Sequence, residues 1–196
     1  MDAEQYRTIQ NKLYKKLDAS RYQHTLGVMY TCAALAMAHG QDIHRAQLAG
    51  LLHDCAKCIP NKKKLKLCKK HKIPVTSLEK KNPYLLHAKL GAYFARKKYG
   101  VKDEEVLNAI RCHTTGKQKM TALEQIVYIA DYIEPMRNAA PHLDEIRRLA
   151  FQDLEQCTYR ILSDTLEYLE QSPKEIDPAT KRAYEYYRKR NDHRNG

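Results

Sequence analysis

Apolar residues recur along most of this chain at intervals of three and four, the period of an amphipathic helix. Tyr6, Ile9, Leu13 and Leu17 form one such stripe over residues 2–18. A second helix is expected from Arg21 to about His39, with Ser20 as N-cap and Gly40 as its close. Asp42 caps a third, whose Ile43, Ala46, Leu48, Ala49, Leu51 and Leu52 leave little polar face, so it belongs inside the protein. Residues 62–71 read as a short basic helix, followed by a break over residues 73–77. Asn82-Pro83 opens the next helix, where Gly91 allows close packing, and Tyr99-Gly100 ends it. Asp103 and Thr121 cap two more. After a break at 138–141, the spacing predicts one long helix from Leu143 to about Gln171, and Asp177-Pro178 starts a last, basic one. No strand-like alternation, internal repeat or glycine-rich phosphate loop interrupts the pattern. The fold class is all-α.

Composition agrees: seven Gly, seven Pro, two Phe and no Trp in 196 residues favour helix over sheet. No apolar run reaches the roughly 20 residues needed to span a membrane, and the polar start Met1-Asp2-Ala3-Glu4-Gln5 has no signal-like segment. A cytoplasmic setting is the expectation. The net charge of +12 favours anionic partners, though much of the excess sits in local lysine runs and no nucleic-acid motif accompanies it. Six cysteines in such a setting argue against disulfides. Cys55-x-x-Cys58 with Cys68-x-x-His71 can be written as a zinc site, but the short link and the adjacent His53-Asp54 disfavour it. The thiols read as small buried hydrophobes.

The chemistry lies where polar residues end or interrupt apolar helices. Leu51-Leu52 leads into His53-Asp54, Ile110 into Arg111-Cys112-His113, and Val127-Tyr128-Ile129-Ala130 into Asp131. His24 and His87 sit among apolar neighbours on their own helices. One histidine in a core is ordinary; four with two aspartates are costly to bury unless a cation takes the nitrogens and neutralises the carboxylates. Imidazole and carboxylate together suit iron, manganese or zinc. His39, His44, His71, His142 and His193 lie by turns or among charges and read as surface residues.

The order His24 … His53-Asp54 … His87 … His113 … Asp131 resembles the HD-domain metallophosphohydrolases, and the two extra histidines resemble their binuclear members. The stretches Arg21-Tyr22-Gln23-His24-Thr25, His53-Asp54-Cys55-Ala56-Lys57, His113-Thr114-Thr115-Gly116 and Ile129-Ala130-Asp131-Tyr132-Ile133-Glu134-Pro135-Met136-Arg137 are similar to the bacterial YqeK family of symmetrical diadenosine tetraphosphatases. The resemblance implies an HD-domain helical bundle, with a catalytic core over 1–140 and a C-terminal helical extension over 141–196 packed on the same domain. It implies two metal ions, iron foremost with manganese or cobalt as alternatives. His24, His53, Asp54 and Asp131 would hold one ion and Asp54, His87 and His113 the other, with Asp54 bridging. Lys57 would contact the phosphate chain beside the catalytic Asp54. Arg21, Arg137 and the backbone of Thr115-Gly116 would add substrate contacts. A homodimer is the family expectation.

Two other classes fit parts of the pattern. A different HD phosphohydrolase, acting on another nucleotide, would keep the ligands and change the pocket. A non-catalytic RNA- or ribosome-binding protein would use the lysines and bind in a salt-sensitive way without metal.

Overall fold

The computed structural model describes residues 3–171 and 175–195. They form α1 (Ala3–Tyr14), α2 (Ala19–Ala38), α3 (Ile43–Leu52), α4 (Asn61–Lys70), α5 (Ser77–Lys81), a 3-10 turn (Pro83–Leu85), α6 (Leu86–Lys98), α7 (Glu104–Cys112), α8 (Ala122–Ile133), α9 (Leu143–Ala150), α10 (Leu154–Glu170) and α11 (Pro178–Asn195). No strand occurs among the described residues, as the periodicity predicts.

The core is a nest of α2, α3, α6, α7 and α8, with α10 lying against α8 and α11 against α10. As expected, α3 is central: Ala46, Ala49, Leu51 and Leu52 are fully covered. At Gly91 a Cβ would come within 3.3 Å of both the His53 carbonyl oxygen and Ile110 Cγ2, so the missing side chain lets α6 close on the end of α3. Arg45 on α3 grips Asp103 through Nε at 2.7 Å and through Nη2 at 2.8 Å, and Glu105 at 2.8 Å, which ties α3 to the start of α7.

Asp42, Asp103 and Thr121 cap α3, α7 and α8 as predicted, each accepting backbone N–H groups of the first turn. Such caps contribute about 1 kcal/mol each. Three expectations need correction. The cap of α2 is Asp18, whose side chain accepts from the Arg21 N–H, and not Ser20, which lies inside the helix. α1 ends at Tyr14 rather than at residue 18, and its predicted residue 2 lies outside the described residues. The single helix predicted from 143 to 171 is two, α9 and α10, because Asp153 turns out of the helix and caps α10 through the Gln156 N–H. The short α5, capped by a Thr76–Glu79 box, follows the expected break at 73–77 and occupies residues to which the periodicity assigned no element.

The cysteines behave as apolar filler. Cys32, Cys55, Cys68, Cys112 and Cys157 are buried, and burial pushes the Cys55 thiol up to about 12. Cys58 is exposed and donates to Asp18 instead. His71 stacks on Tyr93 and accepts from its hydroxyl. No helix among the described residues is long and apolar enough to cross a membrane.

Candidate functional site

The six residues singled out by sequence do converge. His53 and His113 each follow the last turn of a helix, α3 and α7, where the partial negative charge of the helix C-terminus favours a cation. His87 comes from the first turn of α6, His24 from α2 and Asp131 from α8. His24 Nε2 lies 3.0 Å from Asp131 Oδ1 and 3.3 Å from His53 Nε2. His87 Nε2 lies 3.2 Å from both His113 Nε2 and Asp54 Oδ1. Asp54 sits in the middle, 1% exposed, with Oδ2 turned to His53 at 3.5 Å and Oδ1 also 3.6 Å from His113.

The backbone fixes the proton on three of the four rings. The Nδ1 atoms of His53, His87 and His113 lie 2.6, 2.7 and 2.8 Å from the carbonyl oxygens of Gly50, Tyr84 and Ile110. A carbonyl only accepts, so each Nδ1 carries the proton and each neutral ring turns a bare Nε2 lone pair inward. His24 Nδ1 is held in the same way by Glu134 Oε1 at 3.1 Å. Burial pushes His87 down to about 4, which keeps it neutral at ordinary pH. The cluster therefore presents acceptors to acceptors. The Thr114 hydroxyl, 3.1 Å from the Nε2 of both His87 and His113, has one proton, and the Lys57 ammonium 3.2 Å from His87 Nε2 can meet the second lone pair, whereas the Nε2 atoms of His24 and His53 face each other at 3.3 Å with no donor between them. Asp54 Oδ1 is buried with no hydrogen-bond donor. Surplus lone pairs with an orphaned carboxylate oxygen fit a divalent metal, and outer carbonyls that lock the ring tautomers are what metal-binding histidines need. His24, His53 and Asp131 form one donor group of suitable spacing, and His53, Asp54 and His113 a second.

The carboxylates are kept ionised. Burial pushes the Asp54 carboxyl up, but rings of His53, His113 and His87 that carry a second proton hold it well below the usual range by charge and hydrogen bonds, and beside neutral rings Arg21 supplies the donor at 2.8 Å. Burial likewise pushes the Asp131 carboxyl up, and a His24 ring protonated at Nε2 together with the field of a charged His53 hold it well below the usual range.

Of the predicted substrate residues, three reach the cluster. Arg21 Nη1 donates to Asp54 Oδ2 at 2.8 Å, one turn before His24 on the same helix. Lys57 Nζ lies 3.2 Å from His87 Nε2 and 3.6 Å from Asp54 Oδ1. Arg137 donates to the Asp131 carbonyl at 3.1 Å and its Oδ1 at 3.3 Å. The Thr115-Gly116 pair does not take the place expected of it. The Gly116 N–H is engaged by the Cys112 carbonyl at 2.8 Å, closing α7, and the glycine's open side faces Ala183 and Leu162 rather than the histidines. Thr114 is the residue of that loop that meets the cluster.

Beside His24 and Asp131 a cavity of about 1040 Å³ opens between α2, α8 and α10. Arg21 and Arg137 stand at the cluster end, while Tyr128, Tyr132 and Tyr168 line its walls and Asp164 and Thr165 come from α10. Its volume is that of a small-molecule site. Sequence reasoning missed Glu134 and Thr114. Glu134 lies at the end of the apolar α8 and is 2% exposed, a buried carboxylate whose signal was its position three residues after Asp131.

The HD domain pattern matches residues 21–136. The chain is 40% identical over 172 residues to the Bacillus subtilis protein named bis(5'-nucleosyl)-tetraphosphatase, symmetrical, covering 88% of this chain and 91% of that one. A Staphylococcus aureus protein of the same name is 35% identical, with 88% and 89% covered. A crystal structure from Clostridium acetobutylicum, described as a predicted HD superfamily hydrolase involved in NAD metabolism, superposes with a TM-score of 0.91 at 38% identity, covering 94% of this chain and 97% of that one. Similarity of this extent, running through every helix that contributes to the cluster, makes the chain a member of the HD-domain family, in the branch of the bacterial proteins named symmetrical bis(5'-nucleosyl)-tetraphosphatase.

Proposed function

We propose that this chain hydrolyses diadenosine tetraphosphate symmetrically, adding one water to give two molecules of ADP, at a binuclear metal centre. The observation that carries the reading is the buried Asp54, whose two oxygens face two different sets of imidazole lone pairs. Oδ2 looks toward His53 and, at 3.9 Å, His24, whereas Oδ1 looks toward His87 and His113. That supports His24, His53, Asp54 and Asp131 holding one ion and Asp54, His87 and His113 the other. Iron is the proposed metal; manganese and cobalt accept the same donors.

When bound, such ions supply Lewis acidity and bring a shared water toward a neutral pKa. The chain's own residues account for the rest. Arg21 and Lys57, on either side of Asp54, are placed to neutralise phosphate oxygens near the scissile centre. Thr114 is placed to donate to an oxygen near His87 and His113. Arg137 offers a fork to the phosphates nearest the cavity. The cavity would seat one nucleoside, leaving the phosphate chain to cross the cluster toward Lys57. A substrate with about four negative charges also suits a basic protein.

The test is an assay of purified protein with diadenosine tetraphosphate, nucleotides resolved. ADP as sole product supports the reading. AMP with ATP would overturn the symmetrical cut, and no turnover of this substrate beside turnover of another nucleotide would leave the hydrolase and reject its substrate.

A further inference from the structure

Three of the four cluster histidines are anchored by main-chain carbonyls, and one is not. His24 lies within α2, and its Nδ1 is held by the Glu134 carboxylate at 3.1 Å instead. Glu134 is 2% exposed and belongs to the turn after α8. Both of its oxygens are used: Oε1 by His24, and Oε2 by the Met136 N–H at 2.7 Å. An amide has one acceptor oxygen, so only a carboxylate can take both bonds.

Two features elsewhere hold this side chain in place. On α2, Gly27 leaves the space it fills: a Cβ there would come within 2.6 Å of Glu134 Oε2. Behind it, Arg147 on α9 donates to the carbonyls of Ile133 at 3.1 Å, Glu134 at 3.2 Å and Arg137 at 2.9 Å, and so fixes the turn that presents both Glu134 and Arg137. The turn is thus built to deliver one carboxylate to one imidazole.

We infer that Glu134 is a positioning residue: acting through His24, it sets the affinity of the metal position formed by His24, His53 and Asp131, and Gly27 and Arg147 keep it aligned. The inference rests on the metal-centre reading above. A carboxylate behind a ligand imidazole fixes its tautomer and raises its basicity, and losing such a partner lowers metal affinity about 10- to 100-fold.

The test is a titration of metal-stripped full-length protein with manganese, followed calorimetrically, together with thermal melting of each metal-free variant. Glu134→Gln is expected to weaken one of two binding steps about 10- to 100-fold and leave the other unchanged. Gly27→Ala, which keeps the carboxylate but displaces it, is expected to weaken the same step. In a Glu134→Gln background Gly27→Ala should then add little, because both act through one contact. Equal weakening of both steps, or additive effects of the two substitutions, would make Glu134 a structural residue and overturn the inference. Unchanged affinity in both single variants would do the same. Wild-type protein that takes up no manganese would instead remove the metal centre itself, a failure of the earlier reading that the titration separates from a failure of this one.

Discussion

The two ends of the cluster are built differently. At the inner end His87 and His113 are 0% and 2% exposed, their rings pinned by the carbonyls of Tyr84 and Ile110. At the outer end the Asp131 side chain is 22% exposed and opens on the cavity, and His24 is held by the side chain of Glu134. Main-chain anchors come with the helix ends and no side-chain substitution removes them. Side-chain anchors can be changed one residue at a time. The inner end is a fixed socket, and the outer end is where affinity and access are adjustable.

Asp54 joins the two ends, so its loss should erase the distinction. Asp54→Ala is expected to release metal from both and to lower turnover on the order of 10³-fold or more, with the helical circular dichroism retained. Metal retained at either end would break the comparison. Lys57 belongs to the inner end but touches no backbone anchor. Lys57→Ala should keep both ions and slow the reaction by about 10²-fold, and no more than the 10³-fold typical of a lost electrostatic contact; elemental analysis beside the rate separates the two effects.

Acid should reach the inner end through His87. Its folded value, pushed down by burial to about 4, lies below the unfolded value near 6.5, so the unfolded chain binds the proton first. Stability of the metal-free protein is therefore intact above pH 6.5 and is lost as pH falls toward 4, by about 3 kcal/mol at pH 4. Denaturant melts across that window test it, and His87→Gln should flatten the dependence. The smallest effect belongs to the outer rim. Arg137, with its side chain 45% exposed, should cost roughly ten-fold in kcat/KM when replaced by methionine, about 1.4 kcal/mol, carried mostly in KM.

The six cluster residues were legible in the sequence because each is a strongly polar residue that an apolar helix delivers into the core, where its cost demands a partner. The residues that aim them were harder to read. Glu134 stood within a family motif, and only the fold shows it reaching across to α2, where Gly27 leaves room for it. Thr114 and Gly116 look equivalent as loop residues, yet the helix termination of α7 consumes the Gly116 N–H and leaves Thr114 facing the rings. The division of α9 from α10 was hidden by an apolar period that runs on through Phe151-Gln152; the one signal was Asp153, a good N-cap placed directly before Leu154. Lys64 was equally hidden: within a run of exposed lysines it alone is buried, its ammonium donating to Asn61 Oδ1 at 3.3 Å. Periodicity locates a helix and its apolar face, but which polar group crosses to a neighbouring helix depends on packing that no single helix encodes.

The claim that Asp54 is shared between two ions is tested most directly by elemental analysis of protein purified without chelator. The account predicts about two equivalents of iron, or of a similar transition metal, per chain. A single equivalent would leave Asp54 a ligand of one ion only, and none after anaerobic reconstitution with iron, manganese or cobalt would contradict the account at its root.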